Sequence, residues 1–432
     1  MDLLHDVRLR RWGGAVLLCG WGLAGCGTNV FLQSESGGRR PTLNLSTLGT
    51  GDEATHFEAD DARNQRFDKA ELVPLEPNPL VIRGYLDDAS DVDLYDLGPV
   101  QPGDRIVVDI STDPELKVAL ALFDETGASV LVNDHRNVYL GTVVPFIDVV
   151  VQRAAQSCFL AVADTPGFPG SGEYGVLASR TYPEPLPAPH PDTVLLVFDG
   201  ERGVRIGGRA PVDVPAFDAA SIDEAYDGWT AVMEAEVVAR VREDFNGYDV
   251  TILSTSEGAA YEPGMTRIYF GQYDPALLGV ADGVDEFNAT PDQHAIVFTD
   301  TFRAFNRLRP SVEEMAQTLA NVASHEIGHL LGLVHTRDPL GIMDVTASLK
   351  GLMQDQRFRR SPLYEGVFPV GEQDAVQYLL DSVGGDERVV RTKTGIRPER
   401  MQSRDPIDDG PPARAQWRFS SCCLDKTPVS SH

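Results

Sequence analysis

Residues His325–Asp344 read HEIGHLLGLVHTRDPLGIMD. The chain holds nine histidines in 432 residues, and three of them fall within the first eleven positions of this stretch. His325 and His329 are four apart, so on a helix they share one face about a turn from each other. Glu326 lies beside the first. H-E-x-x-H on a helix is the pattern in which two imidazoles hold zinc and the glutamate acts as general base. The sequence supplies the helix. Ser311 and Glu314 form an S-x-x-E capping box just after Pro310, and Met315, Leu319, Val322, Leu330 and Leu331 continue a roughly helical apolar stripe. Gly332 can then leave the helix through a left-handed residue, which brings His335 back as a third ligand.

Three neutral imidazoles leave the fourth zinc position open, as in a catalytic rather than a structural site. One zinc ion, Glu326 as base and a water then suffice to hydrolyse a peptide bond. No side-chain nucleophile is called for. There is no G-x-S-x-G, and none of the five cysteines has a histidine close by in sequence.

The full pattern H-E-x-x-H-x-x-G-x-x-H followed by a methionine resembles the metzincin metallopeptidases. Thr336, Asp338, Pro339 and Met343 narrow the resemblance to the matrixin branch, whose stretch reads H-S-x-D-P-x-x-x-M. Astacins carry a glutamate after the third histidine, where this chain has Thr336. Astacins and serralysins place a tyrosine two residues after the methionine, where this chain has Val345. The resemblance spans about 190 residues, from Pro191 to Val383. It implies zinc on His325, His329 and His335, Glu326 as base, and Met343 as a structural Met-turn residue. It also implies a protein or peptide substrate that pairs with an edge strand. No P-R-C-G-x-P-D cysteine switch is present in the sequence.

The scaffold expected upstream is a strand at Val194–Asp199, a helix at Trp229–Phe245 with Val232, Val238, Val241 and Phe245 as its apolar set, and strands at Tyr248–Leu253, Thr266–Gly271 and His294–Thr299. Leu277–Gly283 is the candidate for the substrate-pairing edge. His294 reads as a structural residue. Gly371–Val383 reads as a closing helix.

The first residues place Arg8, Arg10 and Arg11 before the apolar run Ala15–Leu18, a signal-peptide layout over residues 1–25. Leu23-Ala24-Gly25-Cys26 resembles a bacterial lipobox, which implies lipid on Cys26, a membrane attachment, and a place in the cell envelope at the outer membrane or cell surface. Residues 26–71 are polar and read as a tether. Residues 72–180 carry short β-rich runs with turns between them and read as an all-β sandwich. The segments Gly84–Asp96, Pro102–Asp104 and Gly170–Val176 resemble the bacterial pre-peptidase C-terminal domain. Asp87, Asp88, Asp91 and Asp93 fit either calcium ligands or a solvated turn. Alternating prolines make 181–191 a semi-rigid spacer. Residues 192–385 form the metallopeptidase domain, and 386–432 read as a disordered tail.

The fold class expected is therefore α+β: an N-terminal sandwich, then a metzincin-type α/β domain with a twisted mixed sheet and a zinc-binding helix. The formal net charge of −28 disfavours nucleic acid as a partner. Cys158 sits in an apolar strand-like run, while Cys422 and Cys423 can pair with each other, with Cys158, or not at all. A second reading, a degenerate scaffold whose sandwich binds a surface polymer, is disfavoured by the intact Glu326.

Overall fold

The computed structural model describes residues 43–394 except 47, 50–53, 60–63, 77, 134–144 and 183. Ten strands build the N-terminal part: β1 (Ala54–Phe57), β2 (Glu71–Leu72), β3 (Leu80–Leu86), β4 (Val92–Asp96), β5 (Arg105–Thr112), β6 (Val118–Phe123), β7 (Ser129–Asn133), β8 (Phe146–Val150), β9 (Phe159–Asp164) and β10 (Gly172–Thr181). They form two five-stranded sheets, ordered β1-β3-β10-β5-β8 and β2-β4-β9-β6-β7. Within each sheet the first pair is parallel and the rest antiparallel. Alternation in β5 is plain: Ile106, Val108 and Ile110 point into the core and their neighbours are half-buried. β6 and β9 instead are buried at every position. A strand that is apolar throughout has both faces covered, and the second cover comes from the C-terminal part of the chain.

Two expectations about boundaries are corrected. The tether does not run to residue 71, because 54–57 form β1, paired in register with β3, and 71–72 form β2. These short strands are held by backbone pairing and by polar contacts such as His56 Nε2 to Glu71 Oε2 at 2.6 Å, so they carry no hydrophobic period. The tail does not start at 386, because 387–394 are helical and Val390 is buried in the main core. The proline-rich spacer is tied at both ends: the Glu184 amide donates to Gly103 O and the His190 amide to Ser382 O.

The second part holds strands β11 (Asp192–Val197), β12 (Glu201–Val204), β13 (Val212–Val214), β14 (Val250–Ser254), β15 (Thr266–Phe270), β16 (Gly279–Ala281), β17 (His294–Val297), β18 (Arg360–Pro362) and β19 (Glu372–Asp374). Its helices are α1 (Thr230–Asp244), α2 (Val312–Leu330), α3 (Leu349–Leu352), α4 (Ala375–Ser382) and α5 (Glu387–Thr394). The main sheet is ordered β14-β11-β15-β17-β16. Four strands are parallel, and the edge strand β16 runs antiparallel to β17. This is the mixed sheet the sequence predicts, with the candidate edge at the edge. α1 and α2 pack together with this sheet in one apolar cluster. The buried face of α1 is Met233, Val237, Val238 and Val241, whereas Val232 is exposed.

α2 starts at a complete capping box: Ser311 Oγ accepts the Glu314 amide at 3.2 Å and Glu314 Oε2 accepts the Ser311 amide at 2.8 Å. Every residue from Thr318 to Leu330 is buried. Such a helix is wrapped on all sides rather than amphipathic, which is why polar side chains on it must each have a specific purpose.

Candidate active site

His325, Glu326 and His329 project from the last turns of α2, and Gly332 then turns the chain at φ 99°. No side chain fits at Gly332, because a Cβ there would lie 2.6 Å from Tyr378 Oη and 2.8 Å from Asp285 O. The turn returns His335 to the first two histidines. His329 Nε2 lies 3.2 Å from His325 Nε2 and 3.0 Å from His335 Nε2. All three rings are buried. Among the described residues they form the one group of three or more potential ligands whose ligand atoms lie within 4.8 Å of one another.

The outer nitrogens fix the tautomers of two rings. His325 Nδ1 lies 2.7 Å from Ile342 O and His329 Nδ1 lies 2.8 Å from Leu333 O. A carbonyl only accepts, so each Nδ1 carries the proton and each Nε2 presents a lone pair inward. Two inward lone pairs and His335 Nε2 converging at this spacing could hold a cation between them. Tetrahedral zinc–nitrogen bonds of about 2.0–2.1 Å set ligand nitrogens about 3.3 Å apart, close to the spacing here. The donor set therefore fits zinc, and an ordered backbone carbonyl behind an imidazole is the usual orienting partner. Burial pushes the His325 imidazole down to about 4. Burial, helped by the neighbouring His325, takes His329 down to about 3. His335 is held well below the ordinary range for the same reason. All three are thus kept neutral, as ligands must be.

Glu326 is buried, and neither carboxylate oxygen has a hydrogen-bond partner among the described residues. Burial holds its pKa well above the usual carboxylate range, opposed by the Arg209 guanidinium. Its carboxylate faces β16: a Cβ on Gly279 would lie 2.5 Å from Glu326 Oε1. Sequence reasoning missed Gly279 and Arg209 as neighbours of this glutamate. A glycine inside a strand is the signal that could have found the first.

Met343 lies under the cluster. A Cβ on Gly328, between the two helical ligands, would lie 2.5 Å from Met343 Sδ. The methionine turn is tied to the third ligand, with the Thr336 amide donating to Met343 O at 2.8 Å and the Val345 amide to Thr336 O at 3.2 Å. Asp338 holds the intervening loop through the Leu340 amide and Ser361 Oγ.

The other sequence-stretch candidates lie elsewhere. His294 opens β17 and is bound by Asp282, away from the cluster. The four aspartates of Asp87–Asp93 are not gathered into a common ligand set. Asp88 accepts from Ser90, Asp91 from Gln65 and the Asp87 amide, and Asp93 from Tyr174 Oη at 2.6 Å. Asp87 and Asp88 are exposed while Asp91 and Asp93 are buried. Cys158 is a buried free thiol, pushed up to about 12 by burial. Cys26, Cys19, Cys422 and Cys423 lie outside the described residues.

Residues 197–359 match the matrixin family of peptidases. The matched segment contains all three histidines, Glu326 and Met343, and the match supports a zinc metallopeptidase. Among solved structures the chain is similar to the archaemetzincin of Methanopyrus kandleri, at 16% identity over 39% of this chain and 87% of that one, with a TM-score of 0.22. It is also similar to the pre-peptidase C-terminal domain of a collagenase from Bacillus anthracis, at 14% identity over 26% of this chain and 94% of that one, with a TM-score of 0.20. None of the curated proteins compared with the chain matches it.

Proposed function

We propose that this chain is a zinc endopeptidase that cleaves extended segments of extracellular proteins, with Glu326 as general base. The observation that carries this is the convergence of three histidine Nε2 atoms, two of them held with their lone pairs inward, beside a buried, unpartnered carboxylate at a sheet edge. Zinc held there supplies Lewis acidity to a peptide carbonyl and makes a water acidic near neutrality. Glu326 takes the proton of the attacking water and passes it to the leaving nitrogen. β16 ends the sheet, with β17 on one side and no further strand paired on the other among the described residues, so an extended substrate can add as a further strand across the site. Gly279 keeps the strand backbone close to the carboxylate.

The protein is tied to the outer membrane or cell surface by lipid on Cys26, a reading supported by Leu23–Cys26. None of the helices among the described residues is long and apolar enough to cross a membrane. The test of the function is metal removal. An unstructured protein substrate should be cut internally, cutting should stop after dialysis against a strong chelator, and zinc alone should restore it. Cleavage that survives complete metal removal would defeat the proposal.

A further inference from the structure

The sandwich does more than precede the peptidase. The outer face of β4, β6 and β9 shares one apolar cluster with Leu363, Val367 and Phe368, and Val334 packs against that cluster. Phe123 of β6 meets Phe368 with ring centroids 5.8 Å apart. The β6–β7 turn also joins the β18–β19 hairpin. The Glu372 amide donates to Gly127 O at 2.9 Å, Ala128 and Glu372 form a parallel bridge, and Arg360 Nη2 donates to Thr126 O at 2.7 Å.

Gln373 sits in the middle of that hairpin, opposite Ser361, and is 2% exposed. Its amide grips the backbone of one residue on both sides. Oε1 accepts the Val334 N–H at 2.7 Å and Nε2 donates to Val334 O at 3.0 Å. Val334 immediately precedes His335. The carbonyl of His335 in turn accepts the Tyr364 amide at 3.1 Å, from the segment that packs on the sandwich. The third histidine differs from the other two in one respect: its Nδ1 has no hydrogen-bond partner among the described residues. His325 and His329 are oriented through their rings, but His335 has only its backbone to orient it.

We propose that Gln373 is a positioning residue for His335, and that the β-sandwich acts through it as a built-in support of the zinc site. This rests on the reading of the three histidines as zinc ligands. The path runs from the β6–β7 turn to Glu372, from Gln373 to the backbone of Val334, and so to the adjacent ligand. A side chain that satisfies both groups of one residue replaces a missing strand partner, and removing it frees the ligand segment while leaving the ligand itself intact.

The test uses the full chain and reads metal binding rather than turnover. Gln373→Leu should weaken zinc about tenfold, the scale found when residues behind metal ligands are removed, measured by competition with a chromophoric chelator. The visible bands of the cobalt-substituted variant should shift, which a loss of stability alone would not produce. Gln373→Glu keeps the acceptor for the Val334 N–H and loses the donor, so it should fall between wild type and Gln373→Leu; it also covers the case in which the leucine variant does not fold. Phe123→Leu, made in the sandwich, should weaken zinc in the same direction. Combined with Gln373→Leu it should add less than its separate effect, because both act on one path. Arg105→Ala, which removes a sandwich ion pair with Asp148, should leave zinc affinity unchanged. Wild-type affinity and cobalt bands in both Gln373 variants would overturn the clamp. Wild-type affinity in Phe123→Leu, with Gln373→Leu weakened, would overturn the part given to the sandwich. A wild-type chain that binds no zinc would instead defeat the reading of the site itself.

Discussion

Gly279→Ala adds a single methyl group to the edge strand, and the structure says where it goes. The new Cβ would lie 2.5 Å from Glu326 Oε1 and 2.9 Å from its Cδ and Cγ. Ordinary contacts begin at about 3.5 Å, so the carboxylate must move by about 1 Å. Glu326 is fully buried on a helix enclosed on every side, and the displaced group has little room to find an equivalent position. Gly279 is not among the residues with positive φ, so alanine brings no backbone strain to confuse the result. Misplacing a reacting group by this distance costs about 10²-fold in rate. The ligands are untouched, so zinc should bind as in wild type. The assay is kcat and KM on a quenched peptide, with bound zinc measured on the same sample. The loss should fall on kcat. Wild-type turnover at full zinc occupancy would refute the placement of Glu326 against the edge strand. Loss of zinc together with activity would refute the separation of base from ligands.

Three further outcomes follow from the same structure. On acidification, turnover should fall before zinc leaves: burial holds Glu326 above the carboxylate range while it holds His325 and His329 at about 4 and about 3. Parallel titration of activity and bound zinc checks this, and a joint loss near pH 6.5, the ordinary imidazole value, would contradict it. In the sandwich, burial and the charge of Glu58 push Asp93 up to about 9. A raised carboxyl pKa gives stability that is full below the unfolded value of about 3.9 and is lost as pH rises toward 9. The protein should therefore melt at lower temperature as pH rises from about 5 toward 9, and Asp93→Asn should flatten the slope; an unchanged slope would exclude Asp93 as its source. Finally, a palmitate analogue should label the wild-type chain in a bacterial host and leave Cys26→Ala unlabelled, whereas equal labelling of both would remove the lipid anchor.

What the sequence discloses depends on whether the cause is local. The capping box, the spacing of His325, Glu326 and His329, and the glycine turn to His335 are properties of neighbours in the chain, and the structure contains each of them. The strands at β11, β15 and β17 are legible because they are apolar runs bounded by turns. Val232 faces solvent although the sequence predicts it on the apolar face of α1, because valine marks both sides of that helix and tertiary packing selects Met233 instead. β1, β2 and α5 leave almost no apolar trace: two strands held by polar contacts, and a helix anchored by Val390. The contact between sandwich and peptidase was illegible for a different reason. Ala119, Ala121 and Phe123 look like ordinary core, and only the folded chain separates the residues facing the sandwich interior from those facing Phe368. Gln373 carries no sequence signal at all, since its two bonds to Val334 cross 39 positions of the chain.

The central claim is that three histidines hold the metal while Glu326 moves the proton. Its most direct test is bound zinc and peptide turnover measured side by side in Glu326→Ala. The account predicts a folded protein with wild-type zinc content and turnover lowered by about 10²–10⁴-fold, the worth of general acid–base assistance. Near-wild-type turnover in that zinc-loaded variant would contradict it.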